Sequence, residues 1–216
     1  MGSELGVGVP ESTSFAQALG TLKRNGSNVL LVGEPVATTH EHVCDTFLGS
    51  NDSAQRRIVV STDRTRIPRD GSTDTDYLVL DPESSASALD LSPSESITEL
   101  SVLGMVGREF VNRVDELDRL DDLDPATLRV CVNAVDELLE RHDSEVVFRL
   151  LHVITTRTRR SRGMGHYHLP IDRESEAVRL FEPLFDAVVC LRTIGGELEH
   201  RWHLRDGETS TDWIPL

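Results

Sequence analysis

Five short apolar runs punctuate the chain, at residues 29–32, 58–60, 78–80, 130–132 and 188–191. None alternates apolar with polar, so each predicts a strand covered on both faces. Between them the apolar positions change to a helical period. Phe15, Leu19 and Leu22 share one side of a short helix over 12–22, which Gly26 ends. Val36, His40, Val43, Cys44 and Phe47 mark a helix over 37–48. Leu100, Leu103, Val106, Phe110 and Val114 predict a long helix over 97–117, capped by Ser96 or Thr98. Val147, Leu150, Leu151 and Ile154 predict another, from Asp143 or Ser144 to Arg157, and a further helix spans 174–184. Gly163 and Gly165 open a strand through His166, Tyr167, His168 and Leu169. Residues 186–192 and 197–204 flank Gly195-Gly196 and predict a hairpin. Polar segments at 62–76 and 83–96, the second rich in Ser and Pro, read as loops.

Strands alternating with helices imply an α/β protein: a mostly parallel central sheet flanked by helices on both faces, with a C-terminal antiparallel hairpin. A chain of 216 residues suits one such domain. Residues 1–24 are expected to be an N-terminal tail and short helix, and 25–216 the domain.

The formal net charge is −15, and Lys23 is the only lysine. Such an acidic, lysine-poor surface suits a cytosol rich in salt, where carboxylates hold water and screening weakens their repulsion. It argues against nucleic acid, which needs a basic face. No run approaches the roughly 20 apolar residues of a membrane span, and residues 1–10 show no secretory leader. A cytoplasmic location is expected. Cys44, Cys131 and Cys190 each sit in an apolar run and read as buried free thiols; their spacing fits no zinc motif.

Residues 28–48 carry the most informative pattern: an apolar strand, Gly33, a loop and a helix, the layout of a P-loop. The full motif is G-x-x-x-x-G-K-[ST]. Counted from Gly33, its second glycine falls on Thr38, its lysine on Thr39 and its hydroxyl residue on His40. Thr38 brings a Cβ where a phosphate needs a nest of amides. Thr39 supplies no cation, and an imidazole is a poor ligand for magnesium.

The order of these stretches resembles the RecA-like ATPase core, in its KaiC-like archaeal branch, over about residues 25–204. The resemblance is carried by residues 28–33, by 129–135 as the Walker B strand, by 148–153 in the next helix and by 184–189 before the hairpin. Within that branch the chain is most similar to degenerate haloarchaeal proteins called HTR-like, associated with signal transduction. The resemblance implies a P-loop fold and shows two further departures. The Walker B strand of active members ends in Asp, and here the position is Asn133. Active members carry paired glutamates after the second strand, and here the stretch is Ser61-Thr62-Asp63, leaving Asp63 as the one carboxylate. Loss of the phosphate nest, the cation and both magnesium contacts removes most electrostatic stabilisation of phosphoryl transfer. The expectation is a pseudo-ATPase with no catalytic residues and no cofactor, binding ATP and magnesium weakly at most.

Other constellations are weaker. His40 and His42, two apart on a helix, point away from each other. His166 and His168 lie on one face of a strand and could share a metal, but no third ligand is evident, so ordinary packing or surface placement and no metal are expected. Arg157, Arg159, Arg160 and Arg162 form a basic cluster. It reads as cations at a helix C-terminus, with an anion or partner patch as the functional alternative. The function expected is that of a non-catalytic regulatory or scaffold protein, acting through a protein partner of the signalling kind, as a monomer or homodimer. A nucleotide-binding switch and a DNA-associated RecA relative are the alternatives.

Overall fold

The computed structural model describes residues 11–33, 37–49, 55–62, 75–80, 97–100, 102–121, 123–205 and 209–216. Among the described residues nine strands form one sheet, in the order β4-β3-β2-β5-β6-β1-β7-β8-β9. They are β1 (Ser27–Gly33), β2 (Arg56–Ser61), β3 (Thr75–Leu80), β4 (Ile97–Leu100), β5 (Leu128–Val132), β6 (Met164–Leu169), β7 (Ala187–Ile194), β8 (Glu197–Leu204) and β9 (Ile214–Pro215). Every pairing from β4 to β7 is parallel. Strands β7 and β8 form the expected antiparallel hairpin, and β9 extends it. The five apolar runs of the sequence are β1, β2, β3, β5 and β7, all in this one sheet.

Because successive side chains alternate across a strand, each strand feeds two cores. Leu30 and Val32 of β1 and Val130 and Val132 of β5 point to one face. There they meet α3 (Leu103–Asp121), α4 (Val135–Arg141), α5 (Ser144–Arg160) and α6 (Glu176–Phe181). Phe110, Val114, Leu151, Ile154 and Phe181 are fully enclosed in that core. Burying such a side chain contributes roughly 1.5–3 kcal/mol. Val29 and Leu31 point to the opposite face. It is covered by α1 (Glu11–Asn25), through Phe15, Leu19 and Leu22, and by α2 (Ala37–Leu48), through Val43 and Phe47. The N-terminal helix therefore packs on the sheet: the Phe15 ring meets Trp202 of β8 edge-on at 5.7 Å.

Two expectations are corrected. Residues 97–100 are a strand, paired in parallel with β3 from Tyr77↔Ile97 to Leu80↔Leu100, and the helix begins only at Leu103. The spacing of Leu100 and Leu103 imitated a helix, and pairing with a distant strand overrode it. The seven-residue α4 was not anticipated. It buries only Val135 and Leu138, too few positions to show a period. The predicted helix over 174–184 is α6 followed by a 3-10 turn, Glu182–Leu184, where Pro183 removes an amide donor.

Candidate functional site

The carboxyl ends of β1, β2, β5, β6 and β7 lie together along one edge of the sheet. The helix after β1 covers one face, and those after β5 and β6 cover the other. That change of side between β1 and β6 creates the crevice in which open α/β sheets bind ligands.

Gly33 ends β1 at this crevice with φ +109. Its amide donates to the Ile171 carbonyl at 2.9 Å. A Cβ placed there would lie 2.1 Å from the Leu191 carbonyl oxygen of β7. Close approach of the neighbouring strand thus requires glycine here, whatever the loop binds. Thr38, Thr39 and His40 fall in the first turns of α2 by their backbone. Their side chains, and all of Asp63, lie outside the described residues, as does the side chain of His42.

Asn133 follows β5, its amide donating to the Val60 carbonyl at 3.1 Å. Its Oδ1 is buried and has no hydrogen-bond partner among the described residues. The Thr62 hydroxyl, just after β2, donates to the Glu137 carboxylate of α4. Thr62 and Glu137 therefore engage each other across the β2–β5 pair.

The arginine cluster lies at the other edge of the sheet. Arg157 bridges Asp115 and Asp118 of α3, each at 2.5 Å. Arg159 meets Asp186 at 2.9 Å, and Asp186 also accepts the Asn28 amide at 2.8 Å. Arg162 donates to the Leu123 carbonyl at 3.2 Å. Arg160 is exposed. Three of the four thus tie α5 and its C-terminal turn to neighbouring elements.

A second constellation lies under α2. His166 and His168 of β6 occupy the central sheet positions where β1 places Val29 and Leu31, their register partners. Both imidazoles are buried, at 1% and 0% exposure. Cys131 of β5, fully buried, is the register partner of His166. Cys44 comes down from α2, its sulfur 3.5 Å from that of Cys131 and 3.1 Å from Nε2 of His168. One ligand atom from each of the four residues lies within 4.8 Å of every other. Among the described residues the Nε2 of His166 has no hydrogen-bond partner, a state costing about 1–3 kcal/mol in a buried group.

Burial pushes the His166 imidazole down to about 3, with the Arg129 charge acting in the same direction. The imidazole is therefore neutral and able to offer a lone pair. The hydrogen bond to Cys131 holds the Cys44 thiol well below its ordinary value, helped by His168. Burial and the same contact push Cys131 up. In the linear chain Cys44, Cys131 and the histidine pair stand far apart. Cys44 and Cys131 are 87 residues apart, and Cys44 and His168 are 124 apart, so no local spacing announces the set. The one available signal was two histidines at alternate positions of a strand whose two faces must both be covered.

The mostly parallel α/β sheet with its C-terminal hairpin is a KaiC-like fold. A solved structure of a KaiC-like protein from the hyperthermophilic archaeon Pyrococcus horikoshii OT3 superposes with a TM-score of 0.56 at 12% identity. The match covers 88% of this chain and 85% of that one. The chain itself belongs to a family of unknown function, DUF7504, whose model matches residues 26–191. No curated protein matches it. None of the described helices is long and apolar enough to cross a membrane.

Proposed function

We propose that this chain is a KaiC-like protein without ATPase activity, retained as a rigid surface for a protein partner in archaeal signal transduction, as the HTR-like resemblance implies. The observation that carries the reading is Asn133. It follows β5, at the position where the resemblance implies that an active relative carries the carboxylate of its magnesium shell. An amide there removes a full negative charge from the metal site, and Thr39 brings no cation to the phosphates. Both losses fall on the electrostatic part of phosphoryl transfer, the part the protein itself supplies.

The acidic surface and the inward engagement of Arg157, Arg159 and Arg162 favour a protein partner over nucleic acid. The reading includes a cytoplasmic monomer or homodimer, because no phosphate bridge holds one subunit to the next.

Calorimetry with magnesium-ATP, in the concentrated salt that the charge calls for, tests the reading. Affinity weaker than about millimolar, a binding free energy under roughly 4 kcal/mol, together with no phosphate release, is the expected result. Micromolar affinity that Thr38→Glu abolishes would instead establish a nucleotide-binding switch, using the helix N-terminus that follows Gly33.

A further inference from the structure

We propose that Cys44, Cys131, His166 and His168 form a tetrahedral zinc site that pins α2 to the central strands β5 and β6.

The ligand set is the first reason. Two sulfurs and two imidazoles in a four-coordinate arrangement are a signature of zinc. With Zn–S near 2.3 Å and Zn–N near 2.0–2.1 Å, tetrahedral edges are about 3.8 Å between sulfurs and about 3.6 Å from sulfur to nitrogen. The sulfurs stand 3.5 Å apart, and Cys44 Sγ is 3.1 Å from His168 Nε2. All four ligand atoms fall within 4.8 Å of one another, so modest side-chain rotation around a central ion completes the figure.

Burial is the second reason. The cluster lies between two apolar patches of the same sheet face. Val29, Leu31 and Val189 are on one side, and Val59, Tyr77 and Val79 on the other. Packing alone would place aliphatic side chains there, as β1 does. Instead β6 sets two histidines side by side, and His166 keeps an unbonded Nε2 at 1% exposure. A zinc ion would use that lone pair. Two thiolates and two neutral imidazoles also cancel the ion's charge, and a neutral complex is the kind a low-dielectric interior accepts.

The third reason is how the ligands are distributed. They come from three elements, with Cys131 and His166 adjacent in register and Cys44 on the helix above. Cys44 on α2 is less enclosed than Cys131 on β5. Four protein ligands leave no open position, so the role is structural. The element it fixes is the helix that follows the P-loop-like turn. A metal would there do the work of holding this helix against the sheet.

The full chain, kept reduced and stripped with a chelator, is titrated with cobalt(II). One equivalent per chain should produce the visible bands of tetrahedral cobalt and a near-ultraviolet thiolate charge-transfer band. Zinc should displace the cobalt and raise the melting temperature. Cys44→Ser, a conservative change at a partly buried helix position, should weaken zinc binding by more than about 100-fold, beyond the 10–100-fold of a lost outer-shell partner. Cys44→Ser/Cys131→Ser should abolish the charge-transfer band, and Cys190→Ser should change nothing. Circular dichroism of each metal-free variant establishes that it is folded. The proposal fails if the folded wild-type chain shows no tetrahedral cobalt spectrum. It also fails if the folded double variant binds zinc as well as wild type, or if only copper(I) binds.

Discussion

A side chain on Gly33 would put its Cβ 2.1 Å from the carbonyl oxygen of Leu191. The glycine that opens the P-loop-like turn is therefore required by the β1–β7 pairing itself. Its φ of +109 adds a second demand that only glycine meets without strain. Gly33→Ala should destabilise the fold by more than about 2 kcal/mol. Urea unfolding should show the same loss with and without magnesium-ATP. A loss seen only with nucleotide present would mean that the glycine serves a phosphate after all.

Restoring the motif tests the decay of the nucleotide site from the other direction. Thr38→Gly, Thr39→Lys, His40→Thr and Asn133→Asp together should strengthen magnesium-ATP binding in calorimetry. Each change alone should do little, because groups that act as one unit are not additive. A single reversion that restores turnover would show that the site had lost only one part.

At the opposite edge, Tyr167 donates its hydroxyl to Asn28 Oδ1 at 2.8 Å, and Asn28 Nδ2 donates to the Thr155 carbonyl at 3.0 Å. All three residues are buried. Tyr167→Phe keeps the ring packed on Phe185, 4.9 Å away, and removes only the donor. The abandoned amide oxygen should cost about 1–3 kcal/mol in chemical denaturation. No change in the midpoint would mean that water replaces the phenol.

The arginines should separate cleanly. Arg157 is the common partner of Asp115 and Asp118, and its side chain is 18% exposed. Arg157→Ala leaves two carboxylates near each other without their cation and should lower stability by about 1–2 kcal/mol. Arg160 is exposed, and Arg160→Ala should stay within about 0.5 kcal/mol of wild type. If Arg160→Ala abolishes capture of a partner while melting stays unchanged, the cluster is a binding patch as well as a brace.

The sequence by itself determined the α/β class, the parallel sheet and the closing hairpin. Those rest on local facts: near-continuous apolar runs such as residues 29–32, helical spacing such as Val147 to Ile154, and Gly195-Gly196 in the turn. It also puts Thr39 and Asn133 at the positions where the KaiC-like resemblance implies a lysine and an aspartate. What depended on partners far along the chain was left to the tertiary structure. The apolar spacing around Leu100 suited a helix, and only β3, some 20 residues earlier, made 97–100 a strand. Gly33 reads locally as the first glycine of a P-loop, and only the fold shows that Leu191 demands a glycine there as well. Cys44, Cys131 and the two histidines are ordinary core residues in the linear chain. They become a ligand set only because parallel pairing aligns Cys131 with His166 and α2 folds back over both. Local spacing encodes periodicity, whereas a cluster drawn from two strands and one helix is encoded only in how those elements pack.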